Sequence, residues 1–285
     1  MIQAVGVVGA GTIGTGVAHA FAEAGYPVTL IDISEAALKT ARETIAGNAR
    51  LLPVVVGRPA KRTPDEILAL ITPTTDLGDL RGVDYVVENV TEKWAVKKDL
   101  YRSLDRACGP ECVLAVNTSA IPITRLAGCT GRPDKVIGNH FMNPVPVMPL
   151  VEIIRGVHTS DATLELSRGL LADIGKETVL VGDSSGFVTN RVLMLTINEA
   201  IFLLHERVSS PKDIDRLFKK CFGHRMGPME TADLIGLDTV LYSLEVLLEE
   251  FQDPKYRPCP LLRRYVDAGH LGRKTGRGFH VYDHD

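Results

Sequence analysis

Little in this sequence ties it to nucleic acid, to a membrane or to an oxidising compartment. Its 285 residues carry 32 lysines and arginines against 35 aspartates and glutamates, for a formal net charge of −3. That balance gives no electrostatic reason to bind nucleic acid or an anionic bilayer surface. No uncharged apolar stretch reaches the ~20 residues that a membrane-spanning helix needs. The most apolar helical pattern, 192–204, is interrupted by Asn198 and Glu199. The apolar residues at 2–8 are too few for a signal-peptide core and run straight into glycines. The five cysteines, Cys108, Cys112, Cys129, Cys221 and Cys259, are odd in number and match neither a disulfide framework nor a zinc-ligand spacing. The sequence therefore predicts a cytoplasmic protein with reduced thiols and no bound metal.

What is present is a pattern that changes partway along. Apolar runs at 4–8, 28–31, 84–87, 113–116 and 136–137 are β-branched and nearly continuous in hydrophobicity. Such runs fit parallel strands covered on both faces. Helical patterns at 13–24, 35–46 and 93–107 lie between them. The alternation predicts an α/β fold, a Rossmann-like doubly wound sheet. From about Ser184 strand patterns give way to helical ones as far as Ala268. One long helix is predicted over 187–207. Ser210, Pro211 and Asp213 read as an N-cap, a first-turn proline and a carboxylate at the third position. Asp238 reads as the cap of a helix over 239–251, and Gly236 and Gly269 stand where helix-ending glycines belong. The prediction is an α/β domain over 1–182 and an all-helical domain over 183–285.

Gly9-Ala10-Gly11-Thr12-Ile13-Gly14 follows a strand and opens a helix. Glycines there permit a tight turn, close approach to a pyrophosphate and close helix–strand packing. The free N–H groups of the helix N-terminus then face the phosphates. Asp32, at the end of the second strand, suits the ribose hydroxyls of NAD and would repel the 2′-phosphate of NADP. The alternative for Asp32 is a helix cap at a strand end.

Three polar segments stand at strand ends or helix starts: Asn117-Thr118-Ser119, the run from Gly138 through His140 to Pro144, and the run from Gly186 to Arg191. Glu152 adds a carboxylate inside an apolar run. In a doubly wound sheet ligands gather at the carboxyl ends of strands. Oxidising an alcohol with NAD needs a base for the hydroxyl proton, and a neutral imidazole serves near pH 7. A carboxylate behind the imidazole fixes its tautomer. Taken singly, His140 reads equally as a core histidine, Glu152 as an edge-strand charge and Asn190 as a helix cap.

At these residues the chain resembles the 3-hydroxyacyl-CoA dehydrogenase family along almost its whole length. The shared segments are GAGTIG, NTS, GNHFMNPVPVM followed by LVEII, GFVTNR, MGPMETADLIGLDT and LGRKTGRGF. The resemblance implies that His140 is the catalytic base and Glu152 its paired carboxylate. It implies that Ser119 and Asn190 surround the reacting hydroxyl and thioester carbonyl. It adds Glu92, Lys97, Asn143 and Lys274 to the NAD contacts, beside the glycine-rich loop, Asp32 and Asn117. It also implies a homodimer formed through the helical domain.

The chain departs from the family in several places. Asn89 stands where the family usually has alanine, Pro149 where it has lysine, and Arg225 where it has proline. After Ile45 the family tends to place lysines that help hold the CoA nucleotide. Here residues 50–56 read Arg-Leu-Leu-Pro-Val-Val-Val, with Arg58, Lys61 and Arg62 beyond. An apolar helix end, broken by proline and rimmed by basic residues, also suits an acyl carrier protein. NTSAIPITRLA and CFGH are similar to relatives that oxidise carrier-bound glyceryl units for polyketide extender supply. The substrate is thus a 3-hydroxyacyl thioester on CoA or on an acyl carrier protein. Two rival readings are a lysine-dependent β-hydroxyacid dehydrogenase, which the His140–Glu152 match disfavours, and a non-catalytic, crystallin-like protein that kept the fold.

Overall fold

The computed structural model describes residues 2–57, 59 and 61–282, so Arg58 lies outside the described residues. The chain forms two compact units that meet between Asp183 and Ser184.

The first unit is built on eight strands. They are β1 (Val5–Val8), β2 (Val28–Ile31), β3 (Ile71–Thr74), β4 (Tyr85–Glu88), β5 (Val113–Val116), β6 (Val136–Phe141), β7 (Leu150–Arg155) and β8 (Glu177–Gly182). Their order across the sheet is β3-β2-β1-β4-β5-β6-β7-β8. The strands of the central trio β1, β4 and β5 are buried at every position, as continuous apolar runs require. The helices are α1 (Thr12–Ala24), α2 (Glu35–Val56), α3 (Pro64–Ala69), α4 (Trp94–Ala107), α5 (Ile123–Ala127) and α6 (Asp161–Asp173).

Three strands escaped the sequence patterns. In β3 a proline interrupts the run, which an edge strand tolerates. β7 pairs antiparallel with β6. Residues 142–149 join them, too short a connection for the crossover that parallel strands need. β8 then pairs parallel with β7 at the far edge.

The second helix also runs ten residues past its expected end at 46, to Val56. Leu38, Ala41, Ile45 and Ala49 are buried in one stripe, and this stripe carries the helix beyond Ala46. Pro53 falls in the last turns, where its missing N–H leaves a single carbonyl, that of Ala49, without its helical partner. Gly57, at φ +66°, closes the helix by donating to the Pro53 carbonyl.

The second unit is helical, as expected: α7 (Thr189–His205), α8 (Pro211–Cys221), α9 (Pro228–Ile235), α10 (Leu237–Phe251) and α11 (Pro260–Asp267). Its core gathers Met194, Ile201, Met229, Leu237, Leu244 and Tyr256. The long helix is shorter than predicted, because Phe187 (φ +49°) and Arg207 (φ +61°) take left-handed backbone at either side of it. Ser210 caps α8 as its sequence implies. Asp238 does not cap α10, which starts earlier, with Gly236 at the N-cap; Asp238 pairs with Lys274 instead. Two buried carboxylates pin the last described segment. Asp233 accepts from Phe279 N, His280 N and Tyr282 OH, and Asp215 meets His280 Nε2 at 2.7 Å.

Candidate active site

The glycine-rich loop is shaped by what its neighbours leave room for. Gly9 has φ +96°, and a Cβ there would meet the Asn89 carbonyl oxygen at 2.8 Å. A Cβ at Gly14 would stand 1.8 Å from the Gly9 carbonyl oxygen, so only glycine lets α1 approach β1. A Cβ at Gly11 would meet nothing within 4 Å, which leaves open space beside the first turn of α1. That turn has no side-chain cap and no acidic residue. Ala10, Thr12 and Ile13 complete the loop. Asp32 accepts from Ala10 N at 2.8 Å and Ser34 N at 2.9 Å. Ser34, not Asp32, is the N-cap of α2. An uncapped helix start, an open glycine and a carboxylate at the end of β2 fit a dinucleotide's pyrophosphate and ribose. A cavity of about 490 Å³ runs from Gly11 along Ala37, Thr44 and Asn48 of α2 to Asn143 and Pro144.

Beyond the ends of β4 and β5, polar side chains hold one another. Lys97 is wholly buried and donates to both Glu88 oxygens, at 2.7 and 2.8 Å, and to the Asn117 carbonyl at 3.2 Å. Burial holds the Glu88 carboxyl above the ordinary carboxylate range despite Lys97 beside it. Glu92 reaches over the turn after β5. Its Oε1 accepts from the Thr118 hydroxyl, from Ser119 N and Ala120 N at 3.1 Å each, and from Ile121 N at 3.4 Å.

On that turn stands Ser119. Its Oγ lies 3.0 Å from His140 Nε2, and His140 Nδ1 lies 2.7 Å from Glu152 Oε2. The pairing follows from register, because His140 and Glu152 are directly opposed on the antiparallel strands β6 and β7. Both are buried. A carboxylate only accepts, so the proton of a neutral imidazole sits on Nδ1 and leaves Nε2 as the acceptor. Serine, histidine and glutamate in line also occur in nucleophilic hydrolases, where backbone N–H groups beside the serine often bind the oxyanion. The N–H groups of residues 119–121 are already spent on Glu92. What remains is a buried base presented beside a hydroxyl, suited to moving a proton.

Residues 4–184 match the 3-hydroxyacyl-CoA dehydrogenase NAD-binding domain, and residues 186–282 match the C-terminal domain of the same family. The chain belongs to the 3-hydroxyacyl-CoA dehydrogenase family. It is 47% identical over 283 residues to the 3-hydroxybutyryl-CoA dehydrogenase of Bradyrhizobium diazoefficiens, covering 99% of this chain and 96% of that one. It is 34% identical to the mitochondrial hydroxyacyl-coenzyme A dehydrogenase of Sus scrofa, covering 99% of this chain and 92% of that one. A crystal structure of (S)-3-hydroxybutyryl-CoA dehydrogenase from Ralstonia eutropha matches with a TM-score of 0.92 and 45% identity, covering all (100%) of both chains. NAD is the cofactor of the family's N-terminal domain.

The structure brings Ser119, His140 and Glu152 together, and it gathers Glu92, Lys97 and Asn117 beside them. Asn143 is exposed and lines the α2 cavity. Asn190 and Lys274 belong to the second unit, Asn190 in the first turn of α7 and Lys274 against Asp238 at 2.6 Å. Sequence reasoning gave no role to Glu88, Asn89 or Thr118, which hold these side chains in place. It also missed Asp183, whose carboxylate accepts from Ile123 N at 2.8 Å and Thr124 N at 2.7 Å at the start of α5. Asp183 gave no signal in the sequence, because its partners lie some sixty residues away.

Proposed function

We propose that the protein oxidises the 3-hydroxyl of a 3-hydroxyacyl-CoA thioester with NAD, with His140 as the base. One observation carries this reading, the Ser119–His140–Glu152 line at 3.0 and 2.7 Å at the carboxyl end of the sheet. His140 Nε2 takes the hydroxyl proton, and Glu152 stabilises the imidazolium that forms. Ser119 orients the hydroxyl. NAD, when bound, takes up the hydride that leaves the same carbon. The glycine-rich loop and the start of α1 would hold its pyrophosphate and Asp32 its ribose, with Asn117 and Asn143 as further contacts. Ile33, with 98% of its surface exposed beside Asp32, offers apolar area to an adenine ring. Glu92 and Lys97 serve the same site, Lys97 through Glu88 and the Asn117 carbonyl because it has no surface of its own.

Relatives named for 3-hydroxybutyryl-CoA favour CoA as the carrier and a four-carbon acyl group. A carrier-protein substrate is the second reading, favoured by the exposure of Leu51, Val54 and Val55 along the end of α2. The test is NADH formation from the same acyl group on CoA and on a carrier protein. Turnover with CoA at much the higher kcat/KM supports the first reading. Activity confined to the carrier protein selects the second, and none with either overturns both. We also propose a homodimer through the helical unit, on the strength of its exposed Val188, Val192, Leu217, Phe222 and Leu234.

A further inference from the structure

The strand that carries His140 outruns its neighbour. β5 registers with β6 only as far as Val116 opposite Gly138. Asn139, His140 and Phe141 therefore project past the last paired residue of β5. On that side a side chain takes over. Asn117, the next residue after β5, accepts at Oδ1 from Phe141 N at 3.1 Å. Its Nδ2 donates to Asn89 Oδ1 at 2.9 Å, and Asn89 Nδ2 donates to the Val87 carbonyl at 3.0 Å.

This ladder has one possible direction. Phe141 N–H can only donate and the Val87 carbonyl can only accept. Those two backbone ends force Asn117 Oδ1 toward β6, its Nδ2 toward Asn89, and Asn89 Oδ1 toward Asn117. An Asn117 side chain with nothing to accept from its Nδ2 would lose the reason to keep that orientation. Asn89 also lies under the dinucleotide loop, since a Cβ on Gly14 would touch its Cβ at 3.4 Å.

We propose that Asn89 is a positioning residue for the base: by accepting from Asn117 it keeps Asn117 on the Phe141 N–H and so steadies the strand end that presents His140. The proposal rests on the dehydrogenase reading given above. Asn89 bonds to Asn117 and to the Val87 carbonyl, so the route from it to the base runs through Asn117.

A double-mutant cycle tests that route. Asn89→Ala should lower kcat about tenfold, less than the roughly 10²-fold that a 1 Å misplacement of a reacting group can cost. In an Asn117→Ala background the same change should have almost no further effect. Asn89→Leu, which keeps the volume and removes the acceptor, should match alanine and serves if Asn89→Ala fails to fold. Asn89→Asp keeps an acceptor toward Asn117 and should retain most of the rate. Equal losses in both backgrounds, or a loss confined to KM for NAD, would overturn the proposal. Amide hydrogen exchange separates it from the functional reading. In Asn89→Ala the Phe141 amide should exchange at least about tenfold faster while Ile137 stays as in wild type. An inactive wild-type enzyme would sink the dehydrogenase reading alone, whereas an unchanged Phe141 amide would sink the ladder alone.

Discussion

While His140 is neutral, each hydrogen bond from Glu152 through His140 to Ser119 runs one way, and that makes single atoms testable. His140→Gln removes the acceptor at Nε2, so kcat should fall by roughly 10²–10⁴, with NAD affinity little changed. Steady-state rates and NADH fluorescence titration measure the two, and near-wild-type turnover would defeat the assignment. Glu152→Gln keeps the shape but can turn an amide N–H toward Nδ1, which favours the wrong tautomer, and should also cost rate. Asp32→Ala should narrow the preference for NAD over NADP. Faster wild-type turnover with NADP at matched subsaturating concentrations would contradict the role of Asp32. The glycine-rich loop and Asp32 were legible because their chemistry is local, while His140 and Glu152 were paired only by resemblance to the family. A glycine in a phosphate loop or a carboxylate at a strand end carries its reason within a few neighbours. Glu88 and Asn89 were not, since what they hold arrives from other strands.

At the scale of elements, the second helix shows how far periodicity reaches. Its buried stripe at Leu38, Ala41, Ile45 and Ala49 was in the sequence, but the proline at 53 suggested a break that the last turns of a helix absorb. The antiparallel β7 was illegible for a different reason, because strand direction depends on the length of the connection and not on the strand's own residues. The apolar end of α2 is where the two proposed carriers can be told apart. If a carrier protein docks there, reversing Arg50 and Lys61 to glutamate should raise KM for the carrier-bound substrate, and salt should weaken binding further. A short pantetheine thioester should be unaffected. Unchanged KM for the carrier-bound substrate would leave the exposed Leu51, Val54 and Val55 as surface variation.

For the whole molecule, the division after Asp183 lies one residue beyond the boundary expected at 182, where apolar strand runs give way to helical patterns, and the proposed assembly follows from the helical unit. Its exposed Val188, Val192, Leu217, Phe222 and Leu234 are the candidates for that contact. Light scattering at micromolar concentration should give the mass of a dimer, and a stable monomer would count against the contact. The opposed register of His140 and Glu152 reaches further than geometry. The base and its partner belong to neighbouring strands of one sheet, so the pair has no stability apart from that sheet's. Any opening that separates β7 from β6 disconnects them at once. If His140 is the base, activity should be lost no later along a denaturant curve than the secondary structure of the α/β unit.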